Sequence, residues 1–289
     1  MLITTAGKRI PLRAGRAMGR AMGTLAWHIV RRERNKALRN LAIAFPEWDE
    51  AKRRATIRAM FRHFGMSLFE IAWLWTMTVE SRDRTTRWEG EEKVLELIDE
   101  GRAVIMFTGH VGNWEWLTAS VGLWGRPTNV LHRERDEAEM NRYIKEFRAR
   151  VGVRTLDRGS TSGMKDMIQA IRAGGIMAFL IDQNIRTESV KIPFFGRPAL
   201  TPIGPAKFAI RMEAVAVPTF MERRPDGTHL IRFLEPIELK RSDDPVALTT
   251  RLTRDIEEHI RRVPEQWPWM HDRWRERPQW DVSAEYGIK

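Results

Sequence analysis

Between Ala103 and Phe220 the chain alternates short apolar runs with longer stretches of helical spacing, and few folds accept that rhythm. The runs are Ala103 to Phe107, Thr128 to His132, Val153 to Leu156, Ile176 to Ile181 and Ala214 to Phe220. Each is short and rich in β-branched or aromatic residues, which suits a buried strand. Helical segments are expected between them, after Trp114, from about Glu137 to Arg150 and from about Ser162 to Ala173. Strands that alternate with helices join through crossovers and pair in parallel. The expected fold is therefore α/β: a largely parallel central sheet flanked by helices. Leu230 to Phe233 adds a strand after the turn Pro225-Asp226-Gly227-Thr228.

In open sheets of this kind ligands bind just beyond the carboxyl ends of the strands. The run Ala103 to Phe107 continues as T-G-H-V-G-N-W-E-W. Thr108-Gly109 ends the strand. Asn113 is a good helix N-cap, and an apolar helix is expected from Trp114. His110 therefore sits on a strand-to-helix turn. Glu115 follows five residues later. On one continuous helix that spacing separates two side chains by about 140°, so they meet only if His110 lies in the turn and Glu115 in the first helical turn. A carboxylate on an imidazole fixes its tautomer and raises its basicity, which makes a general base. Thr108 and Thr118 are weak nucleophiles, so His110 is expected to activate a substrate hydroxyl. The bland alternative is a surface histidine beside a glutamate that complements the helix dipole.

Arg133 and Asp182 follow two other strands, and both converge on His110 if those strands are sheet neighbours. An arginine there could bind phosphate or steady an oxyanion. Arg158 is a weaker phosphate-binding candidate. In V-K-I-P-F-F-G-R-P, Gly196 permits a tight turn, while Phe194 and Phe195 could wall an apolar substrate channel or simply pack. A helix beginning near Pro202 offers backbone N–H groups to a phosphate.

Charge points to an anionic partner. The net charge is +11, and residues 1–45 hold ten Lys or Arg against one acid, Glu33. Such a patch suits phospholipid or nucleic acid. No helix-turn-helix, zinc or RNA-binding aromatic motif accompanies it, which argues against nucleic acid. Cysteine is absent, so disulfides and thiolate metal sites are excluded, and no histidine cluster has metal-ligand spacing. No run of 18 apolar residues and no cleavable signal peptide is visible, so membrane contact would be peripheral and cytoplasmic. Residues 12–34 read as a helix in which Met18, Met22, Leu25 and Ile29 form an apolar stripe and Arg13, Arg16, Arg20 and Arg31 lie largely elsewhere, with Trp27 near them. This is the pattern of an interfacial membrane helix, or of a surface helix whose stripe packs on the domain.

The remainder completes one domain over 1–289. One or two helices with core spacing are expected within Glu50 to Met77. Another is expected over Trp88 to Gly101, with Val94, Leu95 and Ile98 inward, and a long one over Pro245 to Val263. Trp267 and Trp269 are read as a cap packed over the sheet, and residues 277–289 as a loose tail.

G-H-V-G-N-W-E resembles the histidine–acid motif of the bacterial lipid A acyltransferases, within the lysophospholipid acyltransferase superfamily. A-L-R-N-L…F-P, the F-F-G turn, the strand holding Val217-Pro218 and the ending P-E-Q-W-P-W-M-H-D-R-W-R are similar to further blocks of that family, so the likeness spans about residues 12–276. It implies His110 and Glu115 as catalytic pair, and Arg133 and Asp182 as active-site members. It implies an acyl carrier protein, or acyl-CoA, as donor and an anionic glycolipid, a lipid A precursor, as acceptor, with no cofactor. It places the work on the cytoplasmic face of the inner membrane. Phosphatidylinositol mannosides, aminoacyl lipids and lysophospholipids are alternative acceptors. A non-catalytic membrane-surface scaffold is the remaining alternative.

Overall fold

The protein is described from a computed structural model covering residues 10–132, 138–157 and 163–288. Three helices come first: α1 (Leu12–Ile29), α2 (Arg31–Ala44) and α3 (Glu50–Trp73). Asp49 caps α3 by accepting the Lys52 N–H. Then follow α4 (Val79–Thr85), β1 (Thr86–Glu89), α5 (Glu91–Asp99), β2 (Val104–Thr108), α6 (Trp114–Gly122), β3 (Thr128–His132) and α7 (Ala138–Arg150). The chain continues through β4 (Val153–Asp157), α8 (Gly163–Arg172), β5 (Ile176–Leu180), β6 (Ser189–Phe194), β7 (Arg197–Pro202) and α9 (Gly204–Arg211). It closes with β8 (Val215–Arg223), β9 (His229–Phe233) and α10 (Pro245–Arg262).

Seven strands form one sheet in the order β1-β9-β8-β2-β5-β3-β4. Only β8 and β9 pair antiparallel; every other pair in this sheet is parallel. A connection of a few residues between β8 and β9 permits that hairpin, whereas parallel neighbours need crossovers. β2 is central, with β8 on one edge and β5 on the other. All five of its residues are buried. Ile105 and Phe107 pack into one apolar layer, while Val104 and Met106 pack into the other. Helices cover both faces, so a strand here reads as continuously apolar rather than alternating. The expected sheet is thus the observed one.

Three local expectations change. The helix expected from Trp88 is preceded by a strand, because Thr86–Glu89 pairs with His229–Phe233. That pairing partner lies about 140 residues downstream, out of reach of any local pattern. The helix expected over 12–34 breaks at Val30 and resumes as α2. The tail expected to be loose is tied to β6: the Val282 N–H donates to Ser189 O at 3.0 Å, and the Lys191 N–H to Ser283 Oγ at 2.9 Å. β6 pairs with β7 on one side only, and the tail covers its other edge.

α1 settles its own orientation. Gly15, Gly19 and Gly23 are its buried face, and they meet α3. A Cβ on Gly19 would lie 2.4 Å from Gly65 O, so the two backbones touch. The Met18, Met22, Leu25 and Ile29 stripe points the other way and is 48, 43, 58 and 67% exposed. It does not pack on the domain. Trp27, by contrast, turns inward against Phe61.

Candidate active site

Thr108 is the last residue of β2 and Leu180 the last of β5, and the two are register partners. Residues just past them therefore emerge side by side. Asp182 is 1% exposed and takes three N–H donors. The His110 backbone N–H reaches Oδ2 at 2.8 Å, His110 Nδ1 lies 2.7 Å from Oδ1, and Trp267 Nε1–H reaches Oδ2 at 2.8 Å. Burial pushes the Asp182 carboxyl up, but His110 and Trp267 outweigh it and hold it down at about 2. Asp182 is therefore an acceptor only, so His110 Nδ1 carries the proton and Nε2 is left with its lone pair. Among the described residues none hydrogen-bonds Nε2.

Glu115 is not on His110. It sits in the first turn of α6, 5% exposed, and forms a two-pronged pair with Arg148 of α7. Arg148 Nη2 lies 2.6 Å from Oε1 and Nε 3.1 Å from Oε2. The spacing allowed a meeting with His110, but helical rotation carries Glu115 toward α7, and the neighbouring strand delivers Asp182 instead. The convergence of Asp182 followed from its strand-end position. Arg133 and Arg158 lie outside the described residues, and β3 is separated from β2 by β5.

Phe194 and Phe195 pack rather than line a channel. Phe194 is fully buried against Trp267 and Trp274, and Phe195 meets Phe45 and Trp269 edge-on. Gly196 makes the β6–β7 turn at φ +71°. The preceding Phe195 is also left-handed, at φ +51°, with its N–H held by Glu257. The helix near Pro202 forms as α9.

An apolar pocket opens elsewhere, between α6 and the sheet. Thr108, Leu117, Val121, Val130 and Leu180 line it together with Trp114. The Trp114 ring stands edge-on to His110, with centroids 4.9 Å apart, so pocket and imidazole adjoin.

Trp267 is the site residue that sequence reasoning left as a packing cap. It is fully buried as expected, yet its indole N–H also fixes Asp182. Its place in the quoted C-terminal block was the available signal. Asn113 does cap α6, its Oδ1 accepting the Trp116 N–H at 3.2 Å.

The sequence model described as bacterial lipid A biosynthesis acyltransferase matches residues 2–276. The chain is 27% identical over 270 residues to the lipid A biosynthesis lauroyltransferase of Escherichia coli K12, covering 91% of this chain and 85% of that one. It is 26% identical to the lipid A biosynthesis palmitoleoyltransferase of the same organism, covering 92% and 86%. It is 26% identical over 183 residues to a phosphatidylinositol mannoside acyltransferase of Mycobacterium tuberculosis, covering 60% and 55%. With nearly its whole length matched, the chain belongs to the bacterial lipid A biosynthesis acyltransferase family.

Proposed function

We propose that this acyltransferase moves a fatty acyl group from a thioester carrier onto a hydroxyl of a lipid A precursor, with His110 as general base. One observation carries this reading. Asp182 occupies Nδ1 of His110, so the proton-accepting nitrogen is Nε2, on a ring that packs edge-on against Trp114. Nε2 takes the proton of the acceptor hydroxyl as its oxygen attacks the thioester carbonyl. Asp182 stabilises the imidazolium that results. Collapse of the tetrahedral intermediate breaks the C–S bond, and the imidazolium returns its proton to the departing sulfur. No covalent acyl-enzyme is needed. Positive groups or backbone N–H donors would steady the oxyanion, each worth about 3–4 kcal/mol when well placed.

The donor is an acyl carrier protein, or acyl-CoA; an acidic carrier suits a chain of net charge +11. The exposed stripe of α1 lies on an anionic bilayer at the cytoplasmic face of the inner membrane, flanked by arginines that are each worth about 1 kcal/mol near such lipid. Among the described residues no helix is long and apolar enough to cross a membrane. Radiolabelled acyl transfer to a lipid A precursor tests the chemistry. His110→Ala is expected to abolish it, and equal rates for variant and wild type would sink the assignment. The mannoside relative favours a second acceptor class with the same chemistry. Lipid profiling of a deletion strain separates the two, by which glycolipid loses a chain.

A further inference from the structure

A second buried charge centre lies against the histidine turn, and the chemistry above does not use it. Glu70 of α3 is fully buried. Its carboxylate accepts from Arg223 Nη2 at 2.6 Å and Nε at 3.1 Å, from Arg16 Nε at 2.6 Å and from Asn113 Nδ2 at 2.9 Å. Burial opposes this charge, but His229 and Arg223 outweigh it and hold the carboxyl well below the usual range. Arg223 also donates to His63 Nδ1 at 2.6 Å and to Ser67 Oγ at 2.8 Å. That fixes the His63 tautomer, so Nε2–H donates to Gly112 O at 3.1 Å.

The turn after His110 is thus gripped repeatedly. Gly112 is held by His63, and its N–H donates to Gln266 O at 3.0 Å. Gln266 in turn clasps the backbone of Arg223 through two bonds of 2.8 Å. Gly112 has φ +67°, and a Cβ there would lie 2.5 Å from Met221 O. Asn113 does two jobs at once: Oδ1 caps α6 while Nδ2 reaches Glu70. The amide carries its acceptor and its donor on separate atoms, so it can do both at once in two directions. A cap alone would need no such partner, since serine or aspartate serves equally. An ion pair buried this deeply is weak support for stability, and apolar residues of similar volume often do as well.

We propose that Glu70 is a positioning residue: gripped by Arg223 and Arg16, it holds Asn113, and so the step from His110 into α6, in the register that aims Nε2 at the acceptor hydroxyl. The claim rests on His110 being the general base. Asn113 lies three positions after His110, and displacements of about 1 Å at such a distance can cost 100-fold in rate.

The test exchanges donor and acceptor. Asn113→Asp keeps the cap and loses the donor; Glu70→Gln loses the charge. The double variant turns the bond round and conserves the total charge. Transfer is followed with dodecanoyl acyl carrier protein and lipid A precursor, alongside thermal melting. Each single variant is expected to lose about 30-fold in kcat with KM changed less than about threefold, and the double variant to lose clearly less than the product of the two, because the exchanged amide and carboxylate regain each other although Arg223 Nη2 gives up its acceptor. A merely structural role would lower melting without restoring kcat in the double variant. Singles that keep wild-type kcat, or a double whose loss is the product of the two, would overturn the proposal. Should Glu70→Gln fail to fold, Asn113→Ser decides, since it keeps the cap and the Glu70 charge and draws the donor back from Glu70 by one bond. Reduced kcat supports the proposal and unchanged kcat refutes it. His110→Ala separates the levels. If it stays active, the general-base role and this inference fall together. If it is dead and the exchange shows no coupling, only the positioning role of Glu70 falls.

Discussion

Asp182 and Glu115 are both buried acids within a few residues' reach of the same turn, yet only one can serve an imidazole. Glu115 faces a guanidinium that meets it with two N–H groups. Its charge is spent on Arg148, and the pair ties α6 to α7. Among the described residues the hydrogen-bond donors to Asp182 are a backbone N–H, an indole N–H and His110 itself, while the buried Arg273 guanidinium acts on it by charge without a hydrogen bond. Its charge is therefore available to stabilise an imidazolium. A carboxylate's partners, more than its nearness in sequence, decide whether it can take part in proton transfer.

The contrast can be broken in several ways. Asp182→Asn should keep the packing and flip the imidazole tautomer, lowering kcat by about 10⁴-fold, as loss of the acid does in a serine-protease triad. A rate within tenfold of wild type would end the distinction. Glu115→Gln should instead leave Arg148 buried and unpaired, destabilising the fold by about 3–5 kcal/mol, with kcat per folded molecule far less affected than by Asp182→Asn. Denaturant unfolding beside kinetics checks this. If kcat falls as far as for Asp182→Asn at full stability, Glu115 acts on the chemistry after all.

The acid limb gives a third test. The Asp182 carboxyl sits at about 2 in the folded chain, below its unfolded value. Its stabilisation is present above pH 4 and lost as pH falls from about 4 to 2, a change on the order of 2 kcal/mol. Asp182→Asn should remove that segment of the stability curve, and retention of the segment in the variant would refute the assignment. The smallest effect is expected from Trp267→Phe, which removes one of the three donors. Loss of one neutral hydrogen bond should lower kcat by about tenfold. No change in rate or in Asp182 titration would show the indole to be packing only.

Much of this was legible in the sequence, and the gaps have physical causes. Apolar runs of strand length were enough to find β2, β3, β4, β5 and β8, because burial on both faces leaves a local signature. His110 was found from its place after β2, and Asp182 from its place after β5. Pairing each acid with its partner was not legible, because that depends on side-chain direction around a helix and on which strands are neighbours. The indole of Trp267 meets a carboxylate 85 residues away, a contact with no periodicity to announce it. β1 was missed for the same reason. On α1 the visible Met18–Ile29 stripe was noted while the Gly15, Gly19 and Gly23 face went unread, although the glycines do the packing.

That crossing of α1 over α3 removes a degree of freedom. With backbone against backbone at Gly19 and Gly65, α1 has no slack to roll about its own axis. Whatever azimuth the greasy ribbon takes, the whole molecule inherits. A methyl group added at Gly19 or Gly23 would meet an α3 carbonyl at 2.4 or 2.2 Å and pry the ribbon outward, drawing Arg16 away from Glu70 with it.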